Sequence, residues 1–122
     1  MAVRIGIAIV LFVHGLAHLV GFVVPWRIAT LKDAPYKTTL LSGAVDVGDV
    51  GIRLVGILWL AAAVAFVAAG VGIIAPFPWW RWLALCTAGF SLVLSILGWP
   101  DSKIGVPVNV AILAFLIAGF PQ

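Results

Sequence analysis

Four stretches of this chain, at about residues 5–25, 52–74, 80–98 and 104–120, are apolar on every helical face rather than on one stripe. A helix of that kind is buried in protein or in lipid, and roughly 20 apolar residues cross the hydrocarbon of a bilayer. The polar residues collect between the stretches, with Pro25, Pro76, Pro78 and Pro100 standing at their ends. The pattern predicts an all-α integral membrane protein: one domain over 1–122, built as a four-transmembrane-helix antiparallel bundle with short connections between its last three spans. The first loop, 26–51, is the longest, with room for a short interfacial helix over 36–45. It closes on Asp46 and Asp49, placed as an acidic start to the second span. The first apolar run outlasts the core of a signal peptide and lacks a small-residue cleavage pattern, so a retained span is expected.

Composition agrees with that reading. The chain is 65% hydrophobic and 9% charged, with a mean hydropathy of +1.28, outside the range of ordinary soluble domains. Its formal charge of +3 comes from cations scattered through the loops, without a basic run or interleaved aromatics, so no nucleic-acid partner is expected. Cys86 is the single cysteine, which excludes an intrachain disulfide and a cysteine metal cluster. Five cations (Arg27, Lys32, Lys37, Arg53, Lys103) fall on the side of the first and third loops, against two (Arg4, Arg81) on the other. The positive-inside rule then puts those loops in the cytoplasm and both termini outside. Trp26 on one side and Trp79, Trp80 and Trp82 on the other are placed as interfacial belts.

The candidate chemistry lies in the first span. His14 and His18 are four residues apart, about one helical turn, and share a face. An ionisable side chain in a span is costly and usually faces protein, a cavity or a partner. Asp46, Asp49, Arg53, Asp101, Lys103 and Asn109 enter from the same side of the membrane and complete an expected vestibule, with Trp59 in mid-span as a ring for a lipophilic ligand. Within it His18 is the first choice for acid/base work and His14 the second, oriented by Asp101 or Asp49. Arg53 and Asp101 are placed to pair, and Arg53 or Lys103 to hold a polar head. The plainer readings stand beside these: histidines bonding helices together, span-end charges as anchors or caps, Asn109 as an interhelical donor, and Trp59 as packing. A metal would need a third ligand besides His14 and His18, with Asp49 or Asp101 the nearest choices. No Gly-rich phosphate loop or nucleophile motif appears, and no cofactor is identified.

Two segments, His14-Gly-Leu-Ala-His18-Leu-Val-Gly21-Phe22 and Trp99-Pro-Asp101-Ser-Lys103-Ile-Gly105-Val-Pro-Val-Asn109, together with Leu58-Trp59-Leu60, resemble a group of uncharacterised bacterial four-span proteins, broadly DoxX-like. The resemblance covers most of the chain outside the first loop. It implies a four-helix bundle in the bacterial inner membrane and draws attention to His14, His18, Asp101, Lys103 and Asn109, but implies no established activity.

Three functional readings are open on the sequence. The leading one is a binding protein for a lipophilic small molecule or cofactor, extending to proton-transfer chemistry of the isomerase, hydrolase or cyclase type. The second is a noncatalytic subunit or scaffold, packing through the small residues of 61–70 against a membrane-protein partner. The third is a homo-oligomeric transporter with the histidines as a proton relay.

Overall fold

In the computed structural model, which describes residues 1–118, the apolar stretches form helices: α1 (Ala2–Ala17), α2 (Val20–Val23), α3 (Gly48–Ile74), α4 (Trp80–Leu97) and α5 (Gly105–Ala118). The chain is mostly helical. Three segments, Ala2–Val23 (α1 and α2 together), α3 and α4, are long and apolar enough to cross a membrane; α5 is shorter over the residues described. The expected end of the fourth span, at 120, lies outside those residues.

α1 and α2 are one apolar run with a local tightening between them. The carbonyl of His14 accepts from the His18 Nδ1 at 2.6 Å, while the backbone N–H of His18 reaches Gly15 O at 3.0 Å, closer than His14 O at 3.3 Å. A side chain competing for an i−4 carbonyl loosens the α ladder toward 3₁₀ bonding, and Leu19 and Gly21 bond back three residues in the same way. Sequence periodicity predicts an unbroken helix here; the histidine's own side chain interrupts it.

α1 packs on α3, α3 on α4, and α4 on α5, with α2 also on α3. The buried core runs through Leu11, Phe66, Ile73, Trp80, Ala84 and Leu116. α1 approaches α3 where small residues permit it. A Cβ on Gly15 would stand 2.9 Å from Phe66 Cβ and 3.1 Å from the Ala63 carbonyl, closer than either can yield. Ala62, Ala63, Ala69 and Gly70 are likewise buried inside the chain itself, so much of 61–70 is occupied by intramolecular packing. Large apolar side chains face outward instead, among them Val13, Val64, Val93 and Ile117, the last 71% exposed.

The first loop departs from expectation. In place of an interfacial helix, 36–45 holds part of a small antiparallel hairpin, β1 (Thr39–Leu40) paired with β2 (Val45–Asp46). Thr38, Thr39, Val45 and Val47 are β-branched and favour extended backbone over helix. The turn takes Leu41, Ser42 and Gly43 through positive φ. Leu41 N–H donates to Leu97 O at 2.7 Å and Ser42 N–H to Trp99 O at 3.0 Å, holding this turn on the C-terminal end of α4. α3 begins at Gly48, a turn earlier than predicted, with the Gly48 N–H bonded to Asp46 Oδ1 at 3.0 Å and Asp49 in its first turn.

Candidate functional site

The helix order brings α1, α3, α4 and α5 around a cavity of about 360 Å³, with Thr39 and Leu40 of the first-loop hairpin in its wall. Its walls are apolar, with Val20, Val24, Ile52, Val55, Leu40 and Val108 among them, and Trp59 lies along one side with its ring centroid 5.1 Å from that of His18. Gly21 lets that indole lie against α2, because a Cβ there would run into the ring. The cavity's polar side chains include His14 on α1, His18 just past the end of α1, and Ser95 on α4, with Thr39 and Ser102 from the loops; Lys37 and Asp101, each about a third exposed, stand at the rim in an ion pair of 2.8 Å.

Behind the two histidines lies a polar cluster spanning three helices. Asn109 of α5, fully buried, meets His14 Nε2 through its Oδ1 at 3.0 Å, while its Nδ2 donates to Ser91 Oγ at 2.9 Å and faces Ser95 Oγ at 3.5 Å. Ser91 in turn lies 2.5 Å from His18 Nε2, and His18 Nδ1 meets the backbone oxygen of His14. The two rings touch edge to face with centroids 4.6 Å apart. The cluster stitches α1, α4 and α5 together in an otherwise apolar interior, where an unpaired polar group would be expensive.

The structure divides the expected vestibule. His14, His18, Trp59 and Asp101 line the cavity, and Asn109 supports it from behind. Asp46, Asp49, Arg53 and Lys103 do not border it. Asp46 accepts from the Thr38 hydroxyl at 2.9 Å and from Gly48 N–H, which together hold its carboxyl below the ordinary value, the backbone bond contributing most. Asp49 accepts from the Tyr36 hydroxyl and pairs with Arg27 at 3.5 Å. Arg53 carries its guanidinium over the Trp26 ring at 5.7 Å, and its carbonyl accepts from the Trp26 indole at 3.0 Å. Lys103 is exposed.

Three expectations are therefore corrected. The expected Arg53–Asp101 pair is not formed, because the first loop brings Lys37 to Asp101 instead. No carboxylate orients either imidazole; that position is taken by Ser91, Asn109 and a backbone carbonyl. The set of His14 and His18 with Asp49 or Asp101 as third metal ligand is not assembled, since both carboxylates are engaged at the loop surface, and no group of three or more such side chains gathers among the described residues. His18, the first choice for acid/base work, has both ring nitrogens bonded and is 3% exposed, which leaves His14 as the histidine with a free ring position.

Ser91, Ser95 and Lys37 were not among the expected site residues. For the serines a signal existed: two hydroxyls four residues apart on an apolar helix share a face, as the histidines do. For Lys37 there was none beyond its charge, because its place depends on how the loop folds. Comparison with protein families, with curated proteins and with solved structures finds no match for this chain.

Proposed function

We propose that this chain is a four-span protein of the bacterial inner membrane that binds a small lipophilic molecule in the cavity beside His14 and His18. The observation that carries the reading is the cavity itself: about 360 Å³ of mostly apolar space, within the size range of small-molecule sites, with a few polar groups on its wall, the two histidines among them. The outward-facing apolar side chains of α1, α3, α4 and α5 support the membrane setting, since water would penalise them and lipid would not. In this reading α5 is the fourth span, the first and third loops face the cytoplasm, and membership of the DoxX-like group rests on the motifs of the first span and the third turn. Any proton transfer would run through His14, whose ring borders the cavity and retains a free nitrogen, with His18, Ser91 and Asn109 holding it in place.

Native mass spectrometry of the gently solubilised protein, with extraction and identification of retained small molecules, tests the proposal. The expected result is a stoichiometric lipophile on the wild-type chain that is lost in Val55→Trp, which fills the cavity from α3. A wild-type chain that carries and accepts no lipophile would sink the reading.

A further inference from the structure

The polar cluster has a direction, and following it assigns a proton to each ring nitrogen. The carbonyl oxygen of His14 only accepts, so the His18 Nδ1 that lies 2.6 Å from it bears hydrogen. Neither imidazole touches a carboxylate that would hold a second proton, so His18 is the neutral Nδ1–H tautomer and its Nε2 is a bare acceptor. The Ser91 hydroxyl, 2.5 Å away, donates to it. With its proton committed, Ser91 Oγ can only accept from Asn109, which turns the amide NH₂ toward Ser91 and Ser95 and the amide oxygen toward His14. His14 Nε2, 3.0 Å from that oxygen, is then the protonated nitrogen. One atom remains: the bare lone pair on His14 Nδ1, which has no protein partner. This atom is not sealed in, because every buried side-chain nitrogen or oxygen among the described residues is partnered. His14 lines the cavity.

Resting on the lipophile-binding reading above, we infer that the ligand of this site is a lipophilic alcohol or phenol, whose hydroxyl donates to His14 Nδ1 while its apolar body lies along Val55, Trp59 and Val108. A molecule that offers only carbonyl or ether oxygens leaves that nitrogen unpaired and meets no donor on the ring. A single neutral hydrogen bond separates the two classes by roughly threefold to tenfold in affinity.

The test uses wild-type protein with ¹⁵N-labelled histidine in nanodiscs, titrated with 4-hexylphenol and with its methyl ether, 4-hexylanisole. Each is corrected for partition into empty nanodiscs. In the free protein, His14 is expected to show a bare Nδ1 and protonated Nε2, and His18 the opposite tautomer. The phenol is expected to bind roughly threefold to tenfold more tightly than the ether and to move the His14 Nδ1 resonance upfield; the ether leaves that resonance in place. In Val55→Trp the phenol-induced shift is expected to disappear. A protonated Nδ1 on His14 in the free protein, or a phenol shift that survives Val55→Trp, overturns the inference. Equal binding of both probes with an unmoved Nδ1 removes the donor requirement while leaving the cavity a lipophile site. Binding of neither probe overturns the alcohol or phenol inference, while the lipophile reading is then decided by whether native mass spectrometry finds a retained lipophile.

Discussion

At the scale of single residues, the polar cluster makes Ser91 more consequential than its size suggests. Its hydroxyl serves His18 and Asn109 at once, so Ser91→Ala leaves an imidazole nitrogen and an amide hydrogen without partners in a buried apolar setting. The expected cost is about 1–2 kcal/mol, near the upper range for hydrogen bonds between membrane helices. Equilibrium unfolding in mixed micelles measures it, and an unchanged stability would mean that the cluster contributes nothing to helix association. Gly15→Ala acts by sterics instead: the new methyl meets Phe66 Cβ and the Ala63 carbonyl, and overpacking of this kind costs about 1–3 kcal/mol in the same assay. Asp46 supplies a pH prediction. Its carboxylate accepts from Gly48 N–H and the Thr38 hydroxyl, bonds that favour the ionised form and lower its folded-state titration below the ordinary 3.8. The stability so contributed is present above that ordinary value and is lost as pH falls through the lowered one. The Gly48 amide resonance should titrate with a midpoint below 3.8, and Thr38→Ala should raise that midpoint; a wild-type midpoint at or above 3.8 would contradict the two hydrogen bonds to Asp46.

Among the elements, the hairpin places Thr39 and Leu40 in the cavity wall. It is tied to the end of α4 by the Leu41 amide and to the third loop by the Ser42 amide and the Lys37–Asp101 pair. The ion pair is part-exposed, and such pairs contribute at most about 1 kcal/mol, so its effect belongs to local order and not to global stability. Lys37→Ala should speed hydrogen exchange at the Leu41 and Ser42 amides by a fewfold while leaving exchange in mid-α3 unchanged. The charge-swapped pair Lys37→Asp with Asp101→Lys should restore the slow exchange. Equal rates in all three proteins would mean that the pair does not hold the hairpin. Sequence patterning located α3 and α4 to within a turn, because continuous apolar runs with prolines and polar residues at their ends mark helix limits locally. It failed for the hairpin, whose mildly apolar residues carry no strong period and whose turn conformation is supported by acceptors on α4 and the third loop, more than 50 residues away.

For the whole molecule, the proposed orientation rests on an excess of cations beside the first and third loops. In a Cys86→Ser background, Ser42→Cys should react with a membrane-impermeant maleimide only after spheroplasts are permeabilised, and Phe77→Cys should react in intact ones. The reverse pattern would invert the topology. Composition and apolar run length alone determined that the chain is mostly helical, with segments suited to cross a membrane, and the four-residue spacing determined that His14 and His18 share a face. The tertiary structure decided that these rings meet Ser91 and Asn109 and not a carboxylate, that Asp101 takes Lys37 and not Arg53, and that Asp46 and Asp49 serve the loop and not the cavity. The physical reason is that a helix apolar on all sides encodes its length but hardly its rotation or its depth against a neighbour. Those are set by close approach at small residues such as Gly15 and by the requirement that each polar group buried between helices find a partner.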